Sequence, residues 1–328
     1  MQQRFLSSPY AGWLLLAVIM ALMPLLVLND YYYDVLTRIC LTATAVVGLN
    51  LLVGYAGQVS LGHAAFYAIG AYGCAILTGH YGVTPVPALI LTAVGVGGAA
   101  WLVGRPILHL RGLYLAVATL GLGVIATIVL NTETAFTGGP DGTGLPPLAV
   151  LGHELSVFGE YQLFGLTISG MAAWYALAAV TLLIAVLLAL NIIDSPMGRA
   201  LRALRGSEIA AQVTGVDIAQ FKLKVFVISA VYAGVAGSLY GYYSGFITPG
   251  LASFEHSVEL IIMVVLGGMA SVFGGVIGTT ILLLIPQFLT GLQELEMVLY
   301  GAILMVVMIF LPRGLLPTLL HLLRRGEA

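Results

Sequence analysis

The sequence predicts an all-α polytopic membrane protein with about ten transmembrane helices, some of them broken, and both termini in the cytoplasm. Three observations predict it. The chain is 60% hydrophobic and only 8% charged, with a mean hydropathy of +1.05, whereas soluble domains carry roughly 25% charged residues. Apolar segments recur at about the 20-residue length that crosses a hydrocarbon core. Basic residues gather on one side of the resulting topology, as the positive-inside bias requires.

Taken in order, the expected helices run over 12–28, 35–53, 64–79, 87–104, 113–131, 166–190, 222–246, 257–273, 276–292 and 297–311. The first follows Arg4 and has no small-x-small cleavage site before Asn29-Asp30, so it reads as a retained span. Glycines at 267, 268, 274, 275 and 278 interrupt the pair over 257–292. Placing the N-terminus inside puts eleven of the twelve basic residues on the inner side. The exception is Arg38, which sits four residues after Asp34, a spacing that permits an ion pair. The whole of 1–328 reads as one membrane domain, with a charged inner segment at 194–224 and an outer loop at 132–165. That loop contains Thr137–Pro147, TGGPDGTGLPP, which is turn chemistry. Cys40 and Cys74 both lie in apolar segments and imply no disulfide framework. A net charge of −2 gives no reason to expect nucleic acid.

Four constellations stand out. In Gly48–Gly73, the stretch around Gly54, Gly57, Gln58, Ser60, Gly62 and His63 brings glycines and polar groups to membrane depth. Such a stretch either lines a pathway or is a short inner loop with glycine caps. Ser229, Ala233, Gly237, Gly241 and Gly245 form a four-residue ladder suited to close helix contact. Glu255, His256 and Glu259 lie at the outer boundary, where side chains reach water, and deep acids of the kind used for ion coupling are missing from the helix centres.

The fourth constellation, Asp194–Lys224, holds eight of the chain's charges. Ser195-Pro196 opens a helix carrying Arg199, Arg202 and Arg205, and Gly206 closes it. Ser207 caps a second helix, Glu208–Thr214, closed by Gly215, and Asp217 caps the next span. A basic loop lying on anionic lipid would need no such ordered series of caps. The segment therefore reads as a protein-docking surface. The only lysines, Lys222 and Lys224, follow Phe221 and Leu223, so the chain has no phosphate-binding P-loop. It also lacks the spacing of a zinc protease, a serine hydrolase or a metal cluster, so neither catalysis nor a cofactor is expected.

At these residues the sequence resembles a family. Gly48–Gly73, Arg111–Ala116 with Thr119-Leu120, Thr137–Gly142, Gly198–Gly215 and Leu266–Gly278 are similar, in this order, to the LivM-type permease subunit of branched-chain amino-acid ABC importers. The resemblance implies a subunit of the bacterial or archaeal cytoplasmic membrane. Its partners would be two ABC ATPase subunits, a second LivH-like permease and a periplasmic or surface-tethered binding protein, all within membrane lipid. It further implies that Glu208–Gly215, including Ala211, is a coupling helix gripped by the ATPase, flanked by Arg199, Arg202 and Arg205. Gly54–His63 would lie near the translocation path, and the outer loop would help to receive the binding protein. Leucine, isoleucine and valine are the commonest cargo of such proteins, but relatives also carry urea, short amides and other amino acids. A stand-alone carrier or channel is the rival reading.

Overall fold

A computed structural model describes residues 9–26, 29–110, 112–150, 153–163 and 166–288, together with 298, 301–302, 305, 309 and 314–318. Most of the tenth expected helix, 297–311, lies outside the described residues, as do Arg4, Arg111, Arg313, Arg324 and Arg325.

The chain is mostly helical. Helix α1 covers Pro9–Leu26, and α2 covers Asp30–Asn50 and runs on through a π-helical turn at Leu51–Tyr55. Then follow α3 (His63–Gly79), α4 (Pro85–Ile107), α5 (Leu113–Thr132) and the one-turn α6 (Thr134–Thr137). After a stretch of short strands come α7 (Gly170–Asp194), α8 (Pro196–Gly206), α9 (Glu208–Val213), α10 (Ile218–Ser244), α11 (Phe254–Gly267) and α12 (Val272–Phe288).

Among the described residues, five helical stretches are long and apolar enough to cross a membrane: Asp30–Tyr55, α4, α5, α7 and α10. The count is six if α11 and α12 together make one span. Among the described residues, α3, α11 and α12 are each short for a bilayer span. Helix α3 has only 17 residues because the chain before it, 57–62, is not helical. In place of successive spans at 257–273 and 276–292, α11 and α12 meet at a bend of 119°. Asn50 of α2, fully buried, holds the corner: its Oδ1 accepts from the Ala270 amide (3.0 Å) and its Nδ2 donates to the Ser271 carbonyl (2.7 Å). Ala270 has a φ of 62°, a conformation that costs an L-residue about 1–2 kcal/mol, which the bonds from Asn50 offset.

The centre of the bundle is α10, which packs on α3, α2 and α4. The small-residue ladder makes this possible. A Cβ on Gly237 would stand 1.9 Å from the Tyr67 carbonyl oxygen, so only glycine lets α10 and α3 approach as they do. Ser238, on the same helix, donates to the Gly70 carbonyl at 2.9 Å. Hydroxyls elsewhere return to their own helices, Thr37 to the Tyr33 carbonyl (2.7 Å) and Thr44 to that of Cys40 (2.9 Å). Lipid offers no partner of its own, so the polar side chains must be satisfied in this way.

Among its described residues, the loop expected at 132–165 carries the turn α6, a 3-10 turn at Gly139–Asp141 and four short strands. Strands β2 (Leu148–Val150) and β3 (His153–Leu155) pair antiparallel, as do β4 (Glu160–Leu163) and β5 (Leu166–Ser169). Strand β1 (Thr143–Gly144) pairs with β6 (Phe246–Ile247), tying the loop to the chain after α10. Residues 166–169, expected to begin a helix, therefore belong to β5, and α7 starts at Gly170 with Ser169 as its cap (3.3 Å to the Ala172 amide). Ser169 also donates to Asp30 Oδ1 at 3.0 Å, so the hairpins and the start of α2 share one end of the bundle. Helices α8 and α9 lie at the other end, beyond α7.

Candidate functional site

The site begins where α2 loses its regularity. The wider π turn at Leu51–Tyr55 gives way, after Ala56, to six non-helical residues, and α3 starts at His63. The glycines here are imposed by neighbours. A Cβ on Gly54 would lie 2.0 Å from Asn50 Oδ1 and 2.4 Å from the Ala270 amide, and one on Gly62 would lie 1.9 Å from the Thr119 carbonyl. Side chains from distant helices satisfy the freed backbone: Thr119 Oγ1 accepts from the Leu61 amide (3.0 Å) and Ser257 Oγ from the Ala64 amide (3.1 Å).

His63 is fully buried, with Nε2 3.1 Å from Ser229 Oγ of α10. Ser229 is eleven residues into α10, roughly 16 Å along that helix at 1.5 Å per residue. Helix α3 thus begins deep within the bundle. Gln58 and Ser60 are buried too, whereas Gly57 is exposed. The Gln58 amide, the Ser60 hydroxyl and His63 Nδ1 make no hydrogen bond among the described residues.

At the α8–α9 end the expected caps are all present. Ser195 accepts from the Met197 amide (3.1 Å), Ser207 from that of Ala210 (3.3 Å) and Asp217 from that of Gln220 (3.1 Å). Helix α9 ends at Val213, one residue short of the expected limit, and Gly215 takes a φ of 86° beyond it. Arg199, Arg202, Arg205 and Gly215 are exposed and Glu208 is half-buried. Ala211 is buried, so it faces the protein. The outward face of α9 carries two apolar residues the sequence reading passed over, Ile209 (72% exposed) and Val213 (84%). Their i,i+4 spacing puts them side by side.

Polar ties join this end to the bundle. Lys222 of α10, buried, forms an ion pair with Glu208 Oε1 of α9. Arg205, in the last turn of α8, donates from Nη1 to the Gly54 carbonyl, and its stem passes beside Gly57. The two constellations read separately from the sequence, 54–63 and 199–215, are therefore in direct contact. Asn50, Thr119, Lys222 and Ser257 complete the arrangement. Asn50 and Thr119 fall in stretches that carry the family resemblance and Lys222 in the charged segment, but nothing local announces the partners of any of the four. Among the described residues no group of His, Cys, Asp or Glu is placed to hold a metal ion.

A contact between a broken membrane helix and a capped surface helix can carry movement from one to the other. The family model described as "Branched-chain amino acid transport system / permease component" matches residues 31–308. The chain is 37% identical over 284 residues to the high-affinity branched-chain amino acid transport system permease protein LivM of Escherichia coli, covering 83% of this chain and 66% of that one. Against LivM of Salmonella typhimurium it is 36% identical, covering 87% and 69%. The permease protein LivH of Escherichia coli is 27% identical, covering 84% and 90%. No solved structure gives a significant match. The chain is a multi-pass membrane protein and belongs to the permease-component family of branched-chain amino acid transport systems.

Proposed function

We propose that this chain is one of two membrane-spanning subunits of an ATP-driven importer for branched-chain amino acids. Two ABC ATPases bind at its α8–α9 end, which faces the cytoplasm, and a binding protein delivers substrate to the hairpin end. The positive-inside distribution of lysines and arginines supports this orientation. The likeness to both LivM and LivH fits a pair of related permeases.

One observation carries the reading: α9 presents Ile209 and Val213 to solvent while Glu208 and Ala211 anchor it to the protein. A short capped helix with an exposed apolar pair and a fixed back is suited to insertion in a groove of a partner protein. ATP binding in the partners would shift α9. The Glu208–Lys222 pair would pass that shift to α10, and the Arg205–Gly54 bond would pass it to the break in α2.

At that break, Gln58, Ser60 and His63 hold buried polar groups of the sort that persist where water or a passing solute can bond to them. Each would cost about 1–3 kcal/mol if it stayed dry. We therefore place Gly54–His63 on the translocation path.

The test is leucine uptake into liposomes carrying the chain, the second permease and the ATPases, with binding protein outside. Uptake should require ATP in the compartment that holds the ATPases and should vanish without the binding protein. Uptake by the permeases alone, driven by an ion gradient, would establish a stand-alone carrier instead.

A further inference from the structure

We propose that the cavity at the hairpin end, between α2, the end of α10 and the β2–β3 hairpin, binds a free α-amino acid with an apolar side chain: Arg38 takes its carboxylate and Asp34 its ammonium. The assignment of a transport role to this site rests on the reading of the chain as an amino-acid permease, whereas the binding itself does not.

The cavity measures about 410 Å³ and lies among the hairpin, the first turns of α2 and the start of α7. That volume is within the usual range for small-molecule sites. Arg38 is the one basic residue placed at this end by the topology, and it borders the cavity with Asp34. Their pairing is incomplete. Arg38 Nε donates to Asp34 Oδ1 at 3.0 Å, and the Tyr243 hydroxyl donates to the same oxygen at 2.5 Å. Among the described residues, neither Nη of Arg38 nor Oδ2 of Asp34 has a hydrogen-bond partner.

A guanidinium whose two Nη groups are both free keeps one N–H edge open, which suits a carboxylate in two-point contact. The adjacent Oδ2, held in place by Arg38 and Tyr243, suits an ammonium. The two opposite charges side by side thus match the two opposite charges on the α-carbon of an amino acid. The remaining wall is mainly apolar, formed by Leu145, Pro147, Leu155, Val157, Phe158 and Met171. Phe158 stands at the rim and is 92% exposed, which suits a residue that packs only once a side chain arrives. An anion alone would leave Asp34 repelling it, and a cation alone would meet Arg38, so a zwitterion is favoured over either.

The test uses the purified permease–ATPase complex in detergent, without binding protein, and equilibrium dialysis against radiolabelled leucine. Saturable binding is expected, displaced by valine and isoleucine. Leucinamide lacks the carboxylate and 4-methylpentanoate lacks the ammonium, so neither should compete. O-phosphoethanolamine, the zwitterionic head of a membrane lipid, should not compete either, and competition by it would assign the cavity to lipid.

Arg38→Gln and Asp34→Asn should each raise the dissociation constant at least roughly tenfold, with Arg38→Lys intermediate. Phe158→Ala, at an exposed position that folding does not need, should weaken leucine several-fold and leave glycine unchanged. Absence of saturable binding, or full affinity in Arg38→Gln, overturns the site. If binding-protein-dependent uptake is present and this binding is absent, the importer reading stands and the site falls. If binding is present and uptake is absent, the site stands and the importer reading falls.

Discussion

The Arg205 guanidinium donates to the Gly54 carbonyl, so the last turn of α8 is tied to the π-helical turn at the end of α2. These residues are 151 positions apart in the chain. If this bond relays movement, cutting it should separate ATP hydrolysis from transport. Arg205→Ala is expected to keep the assembled complex and most of its ATPase activity while uptake falls at least fivefold. A hydrogen bond from a charged donor is worth about 1.5–3 kcal/mol, enough for that effect. Parallel ATPase and uptake assays on one preparation check it.

The second tie makes a prediction about coupling between residues. Lys222 is buried and pairs with Glu208. Removing one partner of such a pair strands the other charge. Lys222→Met and Glu208→Gln should each lower uptake several-fold. The double variant should be no worse than the worse single one, because both remove the same link. Additive losses in the double-mutant cycle would mean that the two side chains act separately.

Helix contact in the centre gives a prediction about stability. Gly237→Ala drives a methyl group against the Tyr67 carbonyl and should cost about 1–3 kcal/mol, as overpacking does. Gly98→Ala is the control, since nothing lies within 4 Å of the added carbon. Thermal denaturation in detergent should separate the two, with only the first variant melting earlier.

The corner between α11 and α12 gives a prediction of the opposite sign. Ala270 adopts a φ of 62° there. Ala270→Gly should stabilise the protein by about 1 kcal/mol by relieving that conformation, less the greater freedom of glycine in the unfolded chain. Asn50→Leu, which removes both bonds across the corner, should destabilise, and Ala270→Gly should recover part of the loss. Melting curves of the two single variants and the double variant measure this.

Much of the charged segment was legible because caps are local. Ser195, Ser207 and Asp217 each bond to an amide two or three residues on, so spacing in the sequence is enough to find them. The glycine ladder was legible for the same reason, since helical periodicity puts every fourth residue on one face. Contacts across the bundle were not legible. Nothing near Asn50 announces Ala270, and nothing near Arg205 announces Gly54.

The short strands of the outer loop were not legible, because a turn-rich sequence hides strands that depend on their pairing, such as β1 with β6. The bend at 268–271 was misread as a plain interhelical break, since hydropathy is blind to direction. On α9, a six-residue helix is too short for a periodic pattern to say which side faces the bundle. The family resemblance names Ala211 with the coupling helix; the structure buries it and turns Ile209 and Val213 outward instead.

Those two residues permit the most direct test of the account. Ile209→Asp with Val213→Asp puts two charges on the exposed face of α9 and touches nothing in the core. The measurement is co-purification of the ATPases with the doubly substituted chain, alongside leucine uptake by the reconstituted assembly. The second permease should remain bound, while the ATPases are lost and uptake falls to background. Normal ATPase recovery with normal uptake would contradict this.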